Sequence, residues 1–218
     1  MKPILLVTLM AFLASLLSAC SDEPVDHTNG VYLLLDTSGT YTEEINKAEQ
    51  IINFTLSRLN PGDSFAVARI DTGSFSERDI ITKATFDDRP SAANTQKRKF
   101  RAAITQFVKD VRPASHTDIS GGLLQAIEYL NEKHPGHKTI LIFSDLKEDL
   151  PKGYVREFEM PFSNIEVIAL NVTKLRSDNI DPREYLDRLS NWKQRVERSG
   201  GDWRVLNDLD QLDELFRA

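Results

Sequence analysis

Val31-Tyr32-Leu33-Leu34-Leu35-Asp36-Thr37-Ser38-Gly39-Thr40 is an apolar run that stops on an acid and is followed by two spaced hydroxyls. A short continuous apolar run with no polar alternation reads as a strand buried on both faces. Asp36 marks where that strand leaves the core and meets a polar site. Asp36, Ser38 and Thr40 place one carboxylate and two hydroxyls at alternate positions of a tight turn. Oxygen donors gathered this way suit a hard divalent cation such as Mg2+.

The same stretch resembles the first loop of the metal ion-dependent adhesion site of von Willebrand factor A domains, which reads Asp-x-Ser-x-Ser. Thr40 replaces the last serine and keeps the hydroxyl. A helical pattern follows from near Tyr41, with Ile45, Ala48, Ile51, Ile52 and Leu59 on one stripe. Thr40 with Glu43 also fits a capping box, so Thr40 has a plain role as a helix cap beside its role as a ligand.

Two more stretches extend the resemblance. Ser115-His116-Thr117-Asp118-Ile119-Ser120-Gly121-Gly122 opens a helix of small residues. It resembles the family's second metal loop, with Thr117 matching the threonine ligand. Asp118 is read first as the cap of that helix. Lys138-Thr139-Ile140-Leu141-Ile142-Phe143-Ser144-Asp145 is another strand apolar on both faces that runs into an acid. The family often has glycine after this aspartate, whereas here Leu146-Lys147-Glu148-Asp149 follows. Glu148 and Asp149 are read as a solvated acidic turn, with a contribution to the site as the second possibility. The resemblance implies that Ser38, Thr40 and Thr117 bind Mg2+ or Mn2+ directly, that Asp36 and Asp145 act largely through bound water, and that a partner's Asp or Glu completes the ion.

Apolar strands alternating with helical patterns imply a doubly wound, mostly parallel central sheet with helices on both faces. Ligands in such sheets sit beyond the carboxyl ends of the strands where strand order reverses. The resemblance puts the strands ending in Asp36 and Asp145 side by side at that reversal. Ser64-Phe65-Ala66-Val67-Ala68-Arg69-Ile70 follows the turn Asn60-Pro61-Gly62-Asp63 as a second strand, and Asp79 to Phe86 reads as an antiparallel edge strand. Phe100, Ile104, Phe107 and Val111 mark a helix whose other face carries Lys97, Arg98, Lys99 and Arg101, read as a solvated face. Ile165 to Leu170 is a strand. Tyr185, Leu189, Trp192 and Val196 form a helical stripe, Trp203 to Leu206 a short strand, and Leu209 to Phe216 a closing helix. Trp192 and Trp203 are read as core. His134-Pro135-Gly136-His137 is a turn rather than a metal pair.

The start of the chain reads as an address. Lys2 precedes an apolar stretch from Ile4 to Leu17, and Leu17-Ser18-Ala19-Cys20 closes it. This resembles the lipobox of bacterial lipoproteins, which implies cleavage before Cys20 and acylation of its thiol. An uncleaved membrane helix is the alternative, for which the run is slightly short. On this reading residues 1–19 are a signal peptide, 20–29 a lipidated tether and 30–218 one A-type domain. Ser21 after the cysteine implies the periplasmic face of the outer membrane in a Gram-negative host.

The chain has 218 residues, a net charge of −6, 40% hydrophobic residues and 28% charged ones. With no basic excess, nucleic acid is not an expected partner. One cysteine excludes an intrachain disulfide framework. The expected function is an envelope-anchored module that captures a protein partner through a divalent cation, and not an enzyme. Two alternatives stay open. A strand ending in Asp beside Mg2+ also describes haloacid dehalogenase-type phosphatases, although Ser38 stands where they need a second acid. The other is an A-type scaffold whose metal site is vacant.

Overall fold

Odd and even residues of the first strand serve two different cores. In the computed structural model, which describes residues 26–216 apart from 40, 42, 43, 72–75 and 157, β1 (Asn29–Asp36) is the central strand. Val31, Leu33 and Leu35 point into one apolar cluster, and Tyr32 and Leu34 into another on the opposite face. A strand buried on both sides has no room for the apolar–polar alternation of a half-exposed one, which is why its sequence is continuously apolar.

The elements follow as α1 (Ile45–Arg58), β2 (Ser64–Ile70), β3 (Ile80–Thr85), α2 (Pro90–Asp110), α3 (Ile119–Lys133), β4 (His137–Phe143), β5 (Ile165–Leu170), α4 (Arg183–Arg198) and β6 (Asp202–Leu206). The six strands lie in the order β3-β2-β1-β4-β5-β6. All neighbours are parallel except β2 and β3, so β3 is the antiparallel edge strand that the sequence predicts. The order reverses between β1 and β4. The chain first builds outward through β2 and β3, then crosses back to lay β4 against the other side of β1.

α1 and α2 cover one face with the buried residues Ile51, Ile52, Phe100 and Ile104. Phe65 and Phe100 stack with ring centroids 4.9 Å apart. α3 and α4 cover the other face through Leu123, Ile127, Leu130, Trp192 and Val196. Trp192 is buried and Trp203 packs partly buried on the same cluster, so both tryptophans are core residues as expected.

Several elements differ from the sequence expectation. α1 begins at Ile45, not near Tyr41: the Tyr41 N–H closes onto the Ser38 carbonyl and the Glu44 N–H onto the Tyr41 carbonyl. The closing helix, Leu209–Phe216, is of the tighter 3-10 kind. Its Leu212 and Leu215 reach the first core, and Asp213 pairs with Arg58 of α1. The basic face of α2 is not wholly solvated. Lys97 donates to the Leu59 carbonyl and lies 5.5 Å from the Phe86 ring centroid, while Arg98, Lys99 and Arg101 are exposed. The crossover from β4 to β5, residues 144–164, carries no helix among its described residues. Instead, Met160 and Phe162 are buried on the α3–α4 face.

Among the described residues, no helix is long and apolar enough to cross a membrane. Cys20, the lipobox and the leader lie outside the described residues.

The turn from α3 into β4 is tight. His134 takes a left-handed conformation, φ 50°, at the end of α3. Gly136 then passes beneath residue 26, where a β-carbon would collide with the Asp26 carbonyl oxygen. Backbone is slow to yield, so Gly136→Ala should cost about 1–3 kcal/mol of unfolding free energy, the range for overpacking, as read from urea denaturation.

Candidate functional site

Two strands that end together build the site. Leu35 of β1 pairs in register with Phe143 of β4, which sets Asp36 beside Ser144. The Ser144 hydroxyl donates to Asp36 Oδ2 at 2.6 Å, and the Ser38 N–H donates to Asp36 Oδ1 at 2.8 Å. One residue beyond Ser144, Asp145 Oδ1 accepts from the Lys147 N–H at 2.8 Å. Asp36 is 0% exposed and Asp145 is 4% exposed.

Burial pushes both carboxyls above their ordinary range, because an ionised carboxylate loses its hydration there. The bonds from Ser144 and Ser38 pull Asp36 back, and the Lys147 N–H pulls Asp145 back. The charge on Asp36 raises Asp145 further. The guanidinium of Arg188 also lowers Asp145, but its fork is already spent. Its Nη1 and Nη2 donate to the two oxygens of Asp178 at 2.8 and 2.7 Å, and its Nε donates to the Asp145 backbone carbonyl at 3.2 Å.

A third loop is fastened to both acids' loops. The Ala114 N–H donates to the Thr37 carbonyl at 2.7 Å, beside Ser38. Thr117 exchanges two backbone bonds with Asp149, at 2.8 and 2.9 Å. The buried Thr117 is therefore held between the loop of Asp36 and the loop of Asp145. Asp118 caps α3 as expected, accepting from the Gly121 N–H at 2.8 Å. It also forms an ion pair with the half-buried Arg156, Nη2 to Oδ2 at 2.6 Å. Gly121 is needed there, since a β-carbon would come within 2.6 Å of Asp118 Oδ2.

Glu148 is not a purely solvated acid. It is half-buried and takes the Ser120 N–H at 2.7 Å, completing the start of α3, while Asp149 is exposed. Arg195 of α4 donates to Ser120 Oγ at 2.8 Å and ties α4 into the same corner.

The chain thus brings Asp36, Ser38, Thr117 and Asp145 to one end of the sheet, at the reversal of strand order. Thr40, with Glu43 of the capping box, lies outside the described residues. Among the described residues, no three His, Cys, Asp or Glu side chains cluster to hold a metal. The donor set is two carboxylates with hydroxyls, and two acids raised by burial, Asp145 further by the charge on Asp36, suit a positive charge. His134 and His137 form a turn at the opposite, amino-terminal end of β4.

Three residues escaped the sequence reading. Ser144 bonds Asp36 directly, and only its place between an apolar strand and an acid hinted at this. Tyr41 is buried, donates its hydroxyl to the Asn171 carbonyl and sets its ring edge-on to Phe143 at 5.2 Å. It anchors the Asp36 loop to the ends of β4 and β5. Leu146 has φ 64°, the left-handed region that glycine enters freely and other residues enter at a cost of about 1–2 kcal/mol. So leucine adopts a glycine-like backbone directly after the acid. Its buried side chain, its N–H onto Ser144 Oγ at 3.0 Å and its carbonyl, which accepts from Trp192 Nε1 at 2.9 Å, offset the strain.

No protein-family model matches the chain, and no curated protein does. Solved structures are similar in fold. A pilus adhesin, SpaC from Lactobacillus rhamnosus GG, matches at a TM-score of 0.53 and 11% identity, over 88% of this chain and 29% of its own. A von Willebrand factor type A protein from Catenulispora acidiphila matches at 0.49 and 16%, over 88% and 41%. BatB from Bacteroides thetaiotaomicron matches at 0.47 and 11%, over 86% and 95%. The chain spans less than half the length of the first two of these structures.

Ser144→Ala would leave one oxygen of the buried Asp36 without its donor. A loss of about 1–3 kcal/mol is expected on chemical denaturation. A separate test concerns the Arg188 fork, which lowers Asp178 from its ordinary 3.8 to about 2. The fold favours the charged form, so this stabilisation is complete above about pH 4 and drains away as pH falls toward 2. Asp178→Asn should lower stability at neutral pH and flatten the slope of stability across that acid window.

Proposed function

We propose that this chain is a von Willebrand factor A-type binding module. Its site at the carboxyl ends of β1 and β4 holds Mg2+ or Mn2+, and a protein partner supplies Asp or Glu to the ion. The observation that carries the reading is the convergence of Asp36 and Asp145, two buried acids at adjoining strand ends, with Ser38 in the loop of the first and Thr117 bonded to the loop of the second. Ser38, Thr40 and Thr117 would offer hydroxyl oxygens, and Asp36 and Asp145 the charge. A hard cation held largely by neutral oxygens keeps enough charge to attract an external carboxylate. The fold shared with a pilus adhesin supports binding as the task, and no residue is assigned to catalysis. The module works at the bacterial cell envelope, anchored through acylated Cys20, on the periplasmic face of the outer membrane in a Gram-negative host.

Cation binding to the folded state raises stability by mass action, by about 2.7 kcal/mol at ~100 Kd. For a domain of this size that corresponds to a rise of roughly 5–10 °C in Tm. MgCl2 or MnCl2 should produce that rise, EDTA should reverse it, and Asp36→Asn should abolish it. A flat response in the native protein, or an undiminished one in Asp36→Asn, would overturn the proposal. Hydrolysis of a generic phosphate ester in Mg2+ would favour the phosphatase alternative instead.

A further inference from the structure

The loop that carries Asp145 has a second side. Leu146, Lys147 and Glu148 form one wall of a groove of about 320 Å³, and Arg188, Asn191, Trp192 and Arg195 of α4 form the other. Three cations line it against one acid, in a chain whose net charge is −6. The groove's lining starts at Leu146, the residue after Asp145, and Arg188 on its far wall donates to the Asp145 backbone carbonyl.

Most of its charges are committed. Glu148 is taken by the Ser120 N–H, and Arg188 is locked onto Asp178. Arg195 donates to Ser120 Oγ and to the Arg156 carbonyl, and its guanidinium lies 5.1 Å from the Trp192 ring centroid. Lys147 differs. It is exposed, and among the described residues no hydrogen bond or ion pair engages its ammonium. Its backbone N–H is fixed on Asp145, which holds the root of the side chain, and its ammonium charge reaches the Asp145 carboxylate without bonding to it. The adjoining groove, walled by Leu175, Ser177 and α4, also has Lys147 at its rim but carries Glu184 and Asp187, so the positive strip lies on the Trp192 side.

We propose that the partner presents two acids, one directed to the cation beside Asp36 and Asp145 and the other to Lys147 at the mouth of the Trp192 groove. The ligand is therefore an acidic segment rather than a lone Asp or Glu. Charge complementarity selects it: an exposed ammonium that no hydrogen bond engages, beside a cation site, attracts a second carboxylate and repels a basic flank. The inference rests on the cation-site reading above.

The test uses immobilised glycine–serine peptides carrying one glutamate, or two at increasing separation, probed with the full chain in Mg2+ and in EDTA. One separation should bind about fivefold tighter than the single glutamate, the upper range for an exposed ion pair, and the preference should fade with added salt. Lys147→Ala should remove that preference, Lys147→Glu should invert it, and Lys152→Ala, on an exposed turn elsewhere, should leave it intact. Mg2+-dependent binding of the single-glutamate peptide with no gain from a second acid would overturn this inference alone. Absence of any Mg2+-dependent binding would overturn the cation-site reading beneath it. A preference that survives Lys147→Ala would move the second contact away from Lys147.

Discussion

Two carboxylates, Asp36 and Asp145, sit at adjoining ends of the two central strands, both buried, and the charge on Asp36 reaches Asp145. Everything at that end of the molecule is arranged around them. Ser144 and the Ser38 N–H hold Asp36, the Lys147 N–H holds Asp145, and the fork of Arg188 is turned onto Asp178. Burying like charges together is costly unless something positive or a proton joins them. The parallel register of β1 and β4 makes the arrangement unavoidable, because Leu35 opposite Phe143 leaves no freedom in where the next residues fall.

The surrounding loops support that geometry from three directions. Tyr41 ties the Asp36 loop to the end of β5, Ala114 ties the third loop to Thr37, and Thr117 ties it to Asp149. Asp118 and Arg156 then lock the start of α3 to the crossover that follows β4. Backbone bonds set the positions, and buried side chains keep the loops from sliding.

Much of this was legible in the sequence. Continuous apolar runs announce strands covered on both faces, and an acid at the end of such a run announces a polar edge. That placed Asp36 and Asp145 at one end, and the resemblance at Ser115 to Gly122 added Thr117. What stayed hidden depends on long-range contacts that leave no local pattern. Ser144 looks like the last strand residue until its register with Asp36 is known. Leu146 gives no sign of a left-handed backbone, because the surrounding core compensates for what a glycine would do without strain. Glu148 reads as a solvated acid because the N–H it accepts belongs to a helix far back in the chain. Tyr41 reads as the first turn of a helix because its aromatic ring fits that periodicity, while its hydroxyl serves a strand end over a hundred residues away.

The crossover after β4 carries no helix among its described residues, and this bears on how firmly the loops are held. Residues 144–164 hold Asp145 and the backbone partner of Thr117, yet they are secured by a few apolar anchors and ion pairs rather than by a helical ladder. Segments of that kind open at lower free energy than the strands beneath them. Any ligand that needs Thr117 and Asp145 together meets only the closed fraction of molecules, and its apparent affinity is scaled by that fraction. Substitutions along this ribbon, far from any bound group, would therefore tune the grip of the whole site while leaving every donor atom in place.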